Sequence, residues 1–251
     1  MPPKRSSTHD AVPRLVFSEA VLKFWETRAR QAETQKKRQI GDQGARSAVT
    51  GGQQMNGFAH AIIDVLKGAG VHQDDIFYSK DKTLPGFFRA TKDWDLLVVS
   101  DGQLLVAIEL KSQVGPSFGN NFNNRSEEAL GTAVDLWTAD REGMFQVIPR
   151  PWLGYLFLLE DCPPSKRAVR SWDRHFPVRK EFAQSSYAKR YEILCRKLVL
   201  ERHYDSACFL MSESRRARLK QNYSEPADDL NASQFLKQML AQVSGAGSES
   251  R

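Results

Sequence analysis

Residues 92–113 read KDWDLLVVSDGQLLVAIELKSQ, two apolar runs separated by Ser100-Asp101-Gly102-Gln103. Asp-Gly at the centre of such a stretch favours a tight hairpin turn, whose two central residues take positive φ. The runs are therefore expected to pair as antiparallel strands. Three charges stand at the open end of this apolar hairpin: Asp95, Glu109 and Lys111. Because side chains alternate along a strand, Glu109 and Lys111 share one face and Leu110 takes the other. Regular pairing about the turn sets Asp95 opposite Ile108 and Trp94 opposite Glu109, one step out of phase. Strong twist or a β-bulge is needed to bring the two carboxylates together.

Two carboxylates with a main-chain carbonyl between them, here that of Leu110, suit a hard divalent cation such as Mg²⁺, which keeps several waters and takes phosphate oxygens as further ligands. Such an ion activates water and neutralises charge on a phosphodiester, and a neighbouring lysine orients the water or stabilises the pentavalent state. The same residues would equally serve as solvated strand-end charges in a salt bridge. The apolar hairpin that carries them favours the catalytic reading of Asp95, Glu109 and Lys111, with Asp95, Glu109 and Leu110 as metal ligands.

The flanks supply a frame for the hairpin. Helical spacing of Ala20, Val21, Phe24, Trp25 and Ala29 predicts an amphipathic helix from Ser18, and FAHAIIDVLKGAG (58–70) predicts a second, closed by glycines. Between them GDQGARSAVTGGQQMNG (41–57) reads as a loop. Pro85-Gly86 marks a turn. After the hairpin, SQVGPSFGNNFNN (112–124) reads as a loop, with Asn124 and Glu127 forming an approximate capping box for a helix on which Leu130, Ala133, Val134 and Trp137 share one face. PWLGYLFLLED (151–161) fits a buried strand, SSYAKRYEILCRKLVLERHY a long helix, SACFLMS (206–212) a strand and NASQFLKQMLAQV a last helix. This order predicts an α/β protein with a single domain and a mixed central β-sheet flanked by helices. Its expected bounds are a flexible N-terminus over 1–17, a folded domain over 18–243 and a flexible tail over 244–251.

Composition narrows the field. The 251 residues hold 36 Lys and Arg against 30 Asp and Glu, a net charge of +6 that suits a polyanionic partner without demanding one. Three cysteines at irregular spacing read as reduced thiols, and no run approaches a membrane span, so a cytoplasmic protein without membrane association is expected. The five histidines lack zinc spacing, VTGGQQMNG lacks the Lys-Ser/Thr of a phosphate loop, and there is no Gly-x-Ser-x-Gly elbow. Zinc chemistry, an ATPase and a serine hydrolase are unsupported.

The pattern of Asp95 followed by Glu109-Leu110-Lys111 resembles the PD-(D/E)xK nuclease signature, with Trp94 in place of the proline. The longer string LPGFFRATKDWDLLVV…LVAIELKSQVGPSFGNNFNNRSEEALGTAVDLW, together with RPWLGYLFLLEDC and RYEILCRKLVLERHYDSACFLMS, is similar to the XhoI family of type II restriction endonucleases from about Ala48 to Ser212. The resemblance implies a restriction-endonuclease-like fold and a homodimer that cuts both strands of palindromic double-stranded DNA with Mg²⁺. The implied site is CTCGAG, cut after the first C to leave 5′-phosphate ends, with a paired DNA methyltransferase protecting the host. It also implies metal ligation by Asp95 and Glu109, with Lys111 as third catalytic residue. A structure-specific repair or junction nuclease on the same fold, and a DNA-binding module without chemistry, are the competing readings; the intact acid-acid-lysine set speaks against the last.

Candidate DNA contacts surround the hairpin. Glycines allow close backbone approach and helix N-termini attract phosphate, which draws attention to Asn120, Asn121, Asn123, Asn124 and Arg125, side chains suited to adenine and guanine edges. Gln113 is placed to touch the attacking water or the scissile phosphate, and Arg89 and Lys92 are candidate phosphate clamps. The basic clusters QKKRQ (35–39) and SRRARLK (214–220) are candidates for tracking the DNA backbone.

Overall fold

The computed structural model describes residues 11–39, 53–145, 150–171 and 174–246. Its centre is a six-stranded mixed sheet in the order β1-β4-β5-β6-β7-β8: β1 (Ile76–Phe77), β4 (Leu96–Ser100), β5 (Gln103–Gln113), β6 (Trp152–Glu160), β7 (Ser206–Ser212) and β8 (Tyr223–Ser224). β5, β6 and β7 run parallel, and β1, β4 and β8 are added antiparallel. The parallel strands are covered on both faces, which is why they read as unbroken apolar runs such as WLGYLFLL. A separate two-stranded hairpin joins β2 (Thr83–Pro85) to β3 (Thr91–Asp93), with the Pro85-Gly86 turn at its tip.

Two helical layers enclose the sheet. One comprises α1 (Ala11–Gln39), α2 (Asn56–Gly68) and α6 (Ala232–Ala246), whose Phe24, Phe58, Ile62, Phe235 and Met239 meet Leu96, Val98, Val106, Ile108 and Leu156. The other comprises α3 (Phe118–Arg141) and α5 (Tyr187–Leu200), with the single-turn α4 (Pro163–Lys166) on the way to α5; here Ala133, Leu136, Tyr191 and Leu198 meet Ala107, Tyr155, Phe157 and Phe209. Across this frame the Trp25 indole donates to Ser212 Oγ at 2.8 Å. Cys162, Cys195 and Cys208 are all free thiols. Among the described residues no helix is long and apolar enough to cross a membrane.

Two elements differ from expectation. The first helix begins at Ala11, ahead of Ser18, and Phe17 is fully buried in contact with Phe58. The segment expected as an Asn-rich loop is already helix, since α3 starts at Phe118 after Ser117 and Asn124 lies inside it, not at a capping box. Asn and Gly are weak helix formers. Tertiary packing overrides them: Phe118 stacks on Tyr187 and Phe122 meets Tyr191 edge-on, both rings belonging to α5. The inward stripe of α3 is Ala129, Ala133, Leu136 and Ala139, which leaves Leu130 and Val134 partly exposed. Of the loop expected over 41–57, residues 41–52 lie outside those described, while 53–57 form a 3₁₀ turn and the first residues of α2.

Candidate active site

The hairpin turn forms as the Asp-Gly pair dictates, with Asp101 at φ 50° and Gly102 at φ 75°. Next to it, however, the register breaks. Val99 faces Leu104, but Val98 faces Val106 and Leu96 faces Ile108, so Leu105 is an extra, unpaired residue. Leu105 and Val106 consequently enter the same core cluster, while Leu104 and Ala107 belong to the opposite one. This is a β-bulge, and it shifts everything toward the open end by one position. Continued beyond Leu96, the shifted register brings Asp95 level with Glu109.

The bulge resolves the phase problem posed by the sequence. The Leu110 amide donates to Asp95 Oδ2 at 2.8 Å, fixing one carboxylate to the strand that carries the other. Lys111 Nζ lies 3.5 Å from the same Asp95 oxygen and forms an ion pair with Glu109 Oε1. Lys92, on β3, reaches in from the second hairpin and places its Nζ 3.0 Å from Glu109 Oε2. The ammonium of Lys92 also donates to the Asp93 carbonyl at 3.0 Å and sits 4.6 Å from the centre of the Trp94 ring.

Electrostatics follow from burial and this pairing. Burial, then the Glu109 charge, pushes the Asp95 carboxyl above its ordinary range, against the pull of Lys111 and the Leu110 amide. Burial also acts to raise Glu109, but Lys111 and Lys92 together outweigh it and hold that carboxyl below its ordinary range. Desolvation alone would lower Lys111; the two carboxylates reverse this and raise it. Two acids and two ammoniums thus form one mutually neutralising cluster at the end of the sheet.

The cluster opens into a cleft of about 540 Å³. Asp95, Leu110 and Lys111 form its floor on the hairpin side, Lys82 and Asp93 border it from the second hairpin, and Arg125 reaches it from α3. Of the expected DNA contacts, Lys92 and Arg125 are therefore brought to the acids. Gln113 is not: it is buried, accepting from the Tyr191 hydroxyl at 3.0 Å and donating to the Val114 carbonyl. Arg89 instead pairs with Asp135 on α3 at 2.7 Å. Asn120, Asn123 and Asn124 are exposed on the first turns of α3 and Asn121 is half-buried there. The 214–220 cluster is largely exposed, with Arg215 paired to Glu213, whereas the side chains of 35–39 lie outside those described.

The cleft is also lined by Gln53, Gln54, Asn56 and Tyr78, none of them among the residues the sequence singled out. The first three belong to the GGQQMNG string, whose amides are of the side-chain type that hydrogen-bonds base edges.

Among the described residues no group of three or more His, Cys, Asp or Glu side chains could hold a metal. The donor set, two carboxylates beside an open cleft, does not form an all-protein cage, but it fits Mg²⁺, which is bound through one or two carboxylates together with water and substrate phosphate.

A mixed sheet flanked by helices, with acid, acid and lysine gathered at the open end of a bulged hairpin, defines the class of restriction-endonuclease-like nucleases. Residues 34–225 match the family model described as Restriction endonuclease XhoI. The chain is 53% identical over 207 residues to the type II restriction enzyme BstVI of Geobacillus stearothermophilus, covering 80% of this chain and 92% of that one. It is 47% identical over 195 residues to the type II restriction enzyme XhoI of Xanthomonas vasicola, covering 77% and 76%. AbrI of Azospirillum brasilense, also a type II restriction enzyme, is 48% identical over 159 residues, or 63% and 71% of the two chains. No solved structure matches. The chain belongs to the XhoI family of type II restriction endonucleases and is a site-specific deoxyribonuclease.

Proposed function

We propose that this enzyme hydrolyses both strands of double-stranded DNA at the palindrome CTCGAG, after the first C, leaving 5′-phosphate ends and requiring Mg²⁺. The observation that carries the chemistry is the bulge at Leu105, which brings Asp95 and Glu109 to one level beside Lys111. The resemblance to XhoI-type enzymes carries the target.

Asp95, Glu109 and the Leu110 carbonyl would hold the metal, whose chemistry is to lower the pKa of a bound water and offset negative charge on the phosphodiester. Lys111 supplies a cation at the reacting phosphate, where it aligns the nucleophile and stabilises added charge. Arg125 and Lys82, which line the cleft, make its surroundings attractive to the DNA backbone. The amides of Asn120, Asn121, Asn123 and Asn124, at the N-terminal end of α3, suit contact with phosphate and base edges. Since each chain has one such cleft and a palindrome has two-fold symmetry, a homodimer supplies one site per strand. A paired methyltransferase would protect host copies of the site, and action on DNA in the cytoplasm follows from that partnership.

Incubating the purified protein and Mg²⁺ with unmethylated phage DNA tests this directly. The expected result is a set of discrete fragments whose ends map to CTCGAG and whose formation stops with EDTA. A smear, or cleavage of branched substrates alone, would favour a structure-specific nuclease and reject the restriction assignment.

A further inference from the structure

Lys92 is not part of the acid-acid-lysine signature, yet its ammonium, like that of Lys111, is paired with Glu109. Both oxygens of Glu109 rest on lysine ammoniums, Oε1 on Lys111 and Oε2 on Lys92. The two lysines are held differently. Lys111 stands two residues from Glu109 on the same strand and also faces Asp95. Lys92 comes from the separate β2–β3 hairpin, and its ammonium has two further partners, the Asp93 carbonyl and the face of Trp94. Trp94 is itself almost fully buried and stands where the nuclease signature has proline.

We infer that Lys92 is a resident counter-cation, which neutralises Glu109 when no divalent metal is bound and gives up Glu109 Oε2 to the metal when one binds. The inference rests on the reading of Asp95 and Glu109 as metal ligands. Charge balance supports it. With both lysines in place the two carboxylates are already neutralised, so a divalent cation would enter a site carrying no net negative charge. Withdrawn from Glu109, Lys92 leaves the two carboxylates, Lys111, one divalent cation and one phosphodiester as a neutral set. The Trp94 face and the Asp93 carbonyl keep contacts for the displaced ammonium, so it need not be stranded in an apolar environment. In this role Trp94 is a positioning residue for Lys92.

The consequence is opposite to that of an ordinary metal-site residue: removing Lys92 should strengthen metal binding. Calorimetric titration of the DNA-free protein with Mn²⁺ measures this without reference to cleavage. Lys92→Met keeps the aliphatic stem beside Trp94 and loses the charge; it should bind Mn²⁺ tighter by about tenfold or more, because a cation competing at hydrogen-bond distance has been deleted. Lys92→Arg, which keeps the charge, should stay near wild type. If Lys92→Met lowers stability, the increase in melting temperature on adding Mn²⁺ gives the same comparison, and it should exceed that of wild type. Affinity unchanged or weakened in Lys92→Met, or tightened equally in Lys92→Arg, overturns the counter-cation role. Glu109→Gln separates the two levels: loss of Mn²⁺ binding there upholds the metal reading whatever Lys92 does, whereas wild-type binding there removes the metal from this site and the inference with it.

Discussion

Glu109 and Asp135 are both buried acids, at 4% and 3% exposure, but their surroundings give them different uses. Asp135 Oδ1 accepts from the amides of Phe87 and Phe88 at 2.9 and 2.8 Å, and Oδ2 accepts from Arg89 Nε at 2.7 Å. Two of those three donors are main chain and cannot swing away, so Asp135 fastens the tip of the second hairpin to α3. Glu109 rests on two lysine ammoniums, which are flexible and exchangeable. A buried carboxylate held by backbone is a staple; one held by lysines keeps sites that a metal or phosphate can contest. The hairpin that this staple fastens is also the one that carries Lys92.

The sharpest division of these roles is expected from Glu109→Gln. It should reduce plasmid cleavage by about a thousandfold or more, a transition-state loss of about 4 kcal/mol, with an unchanged far-ultraviolet circular dichroism spectrum. Lys111→Ala should likewise abolish cleavage while retaining much of the DNA binding measured in Ca²⁺. Asp135→Asn should do the reverse, costing about 3 kcal/mol in urea unfolding because Arg89 and two amides lose a charged acceptor, with cleavage surviving wherever the protein is folded. Cleavage lost from folded Asp135→Asn would break the contrast.

Gly86→Ala probes the same staple from the other side. Its added Cβ would lie 2.7 Å from Asp135 Oδ2 and 2.8 Å from the Arg89 carbonyl, contacts that force a shift. A loss of about 1–3 kcal/mol is expected, read as a lowered urea midpoint. The smallest effect belongs to an acid outside the core. Asp229 is bound by Arg196 at 2.7 and 2.8 Å but is 53% exposed, so Asp229→Asn should cost at most about 1 kcal/mol after solvent screening. The Arg196 hydrogen bonds hold its carboxyl below the ordinary carboxylate range. Its contribution is therefore present above that ordinary range and fades as pH falls through the lower folded pKa, so the wild-type and Asn proteins should converge in stability in strong acid.

Much of this molecule was legible along the chain. The strands of β5, β6 and β7 and the helices α2, α5 and α6 follow from apolar periodicity and length, and the Asp101-Gly102 turn follows from its need for positive φ. The start of α3 was not legible, because its first turns are written in Asn and Gly and are recruited to helix by Phe118 and Phe122 packing on α5. Nor was the fate of Gln113 and Arg89. Their side chains suit DNA as well as they suit Tyr191 and Asp135, and only the fold brings those partners within reach.

By itself the sequence singled out the candidate groups: Asp95, Glu109 and Lys111 on the arms of one hairpin, with their order, spacing and apolar platform. Tertiary structure decided whether they meet. No local signal marks Leu105 as the extra residue, since Leu104, Leu105 and Val106 are all good strand formers. The bulge brings Leu105 and Val106 into one core, and that packing on the α1, α2 and α6 layer, not the turn, moves Asp95 level with Glu109. Lys92 likewise enters from another hairpin and Arg125 from another helix, because contacts between distant segments depend on the whole fold, not on neighbours in sequence.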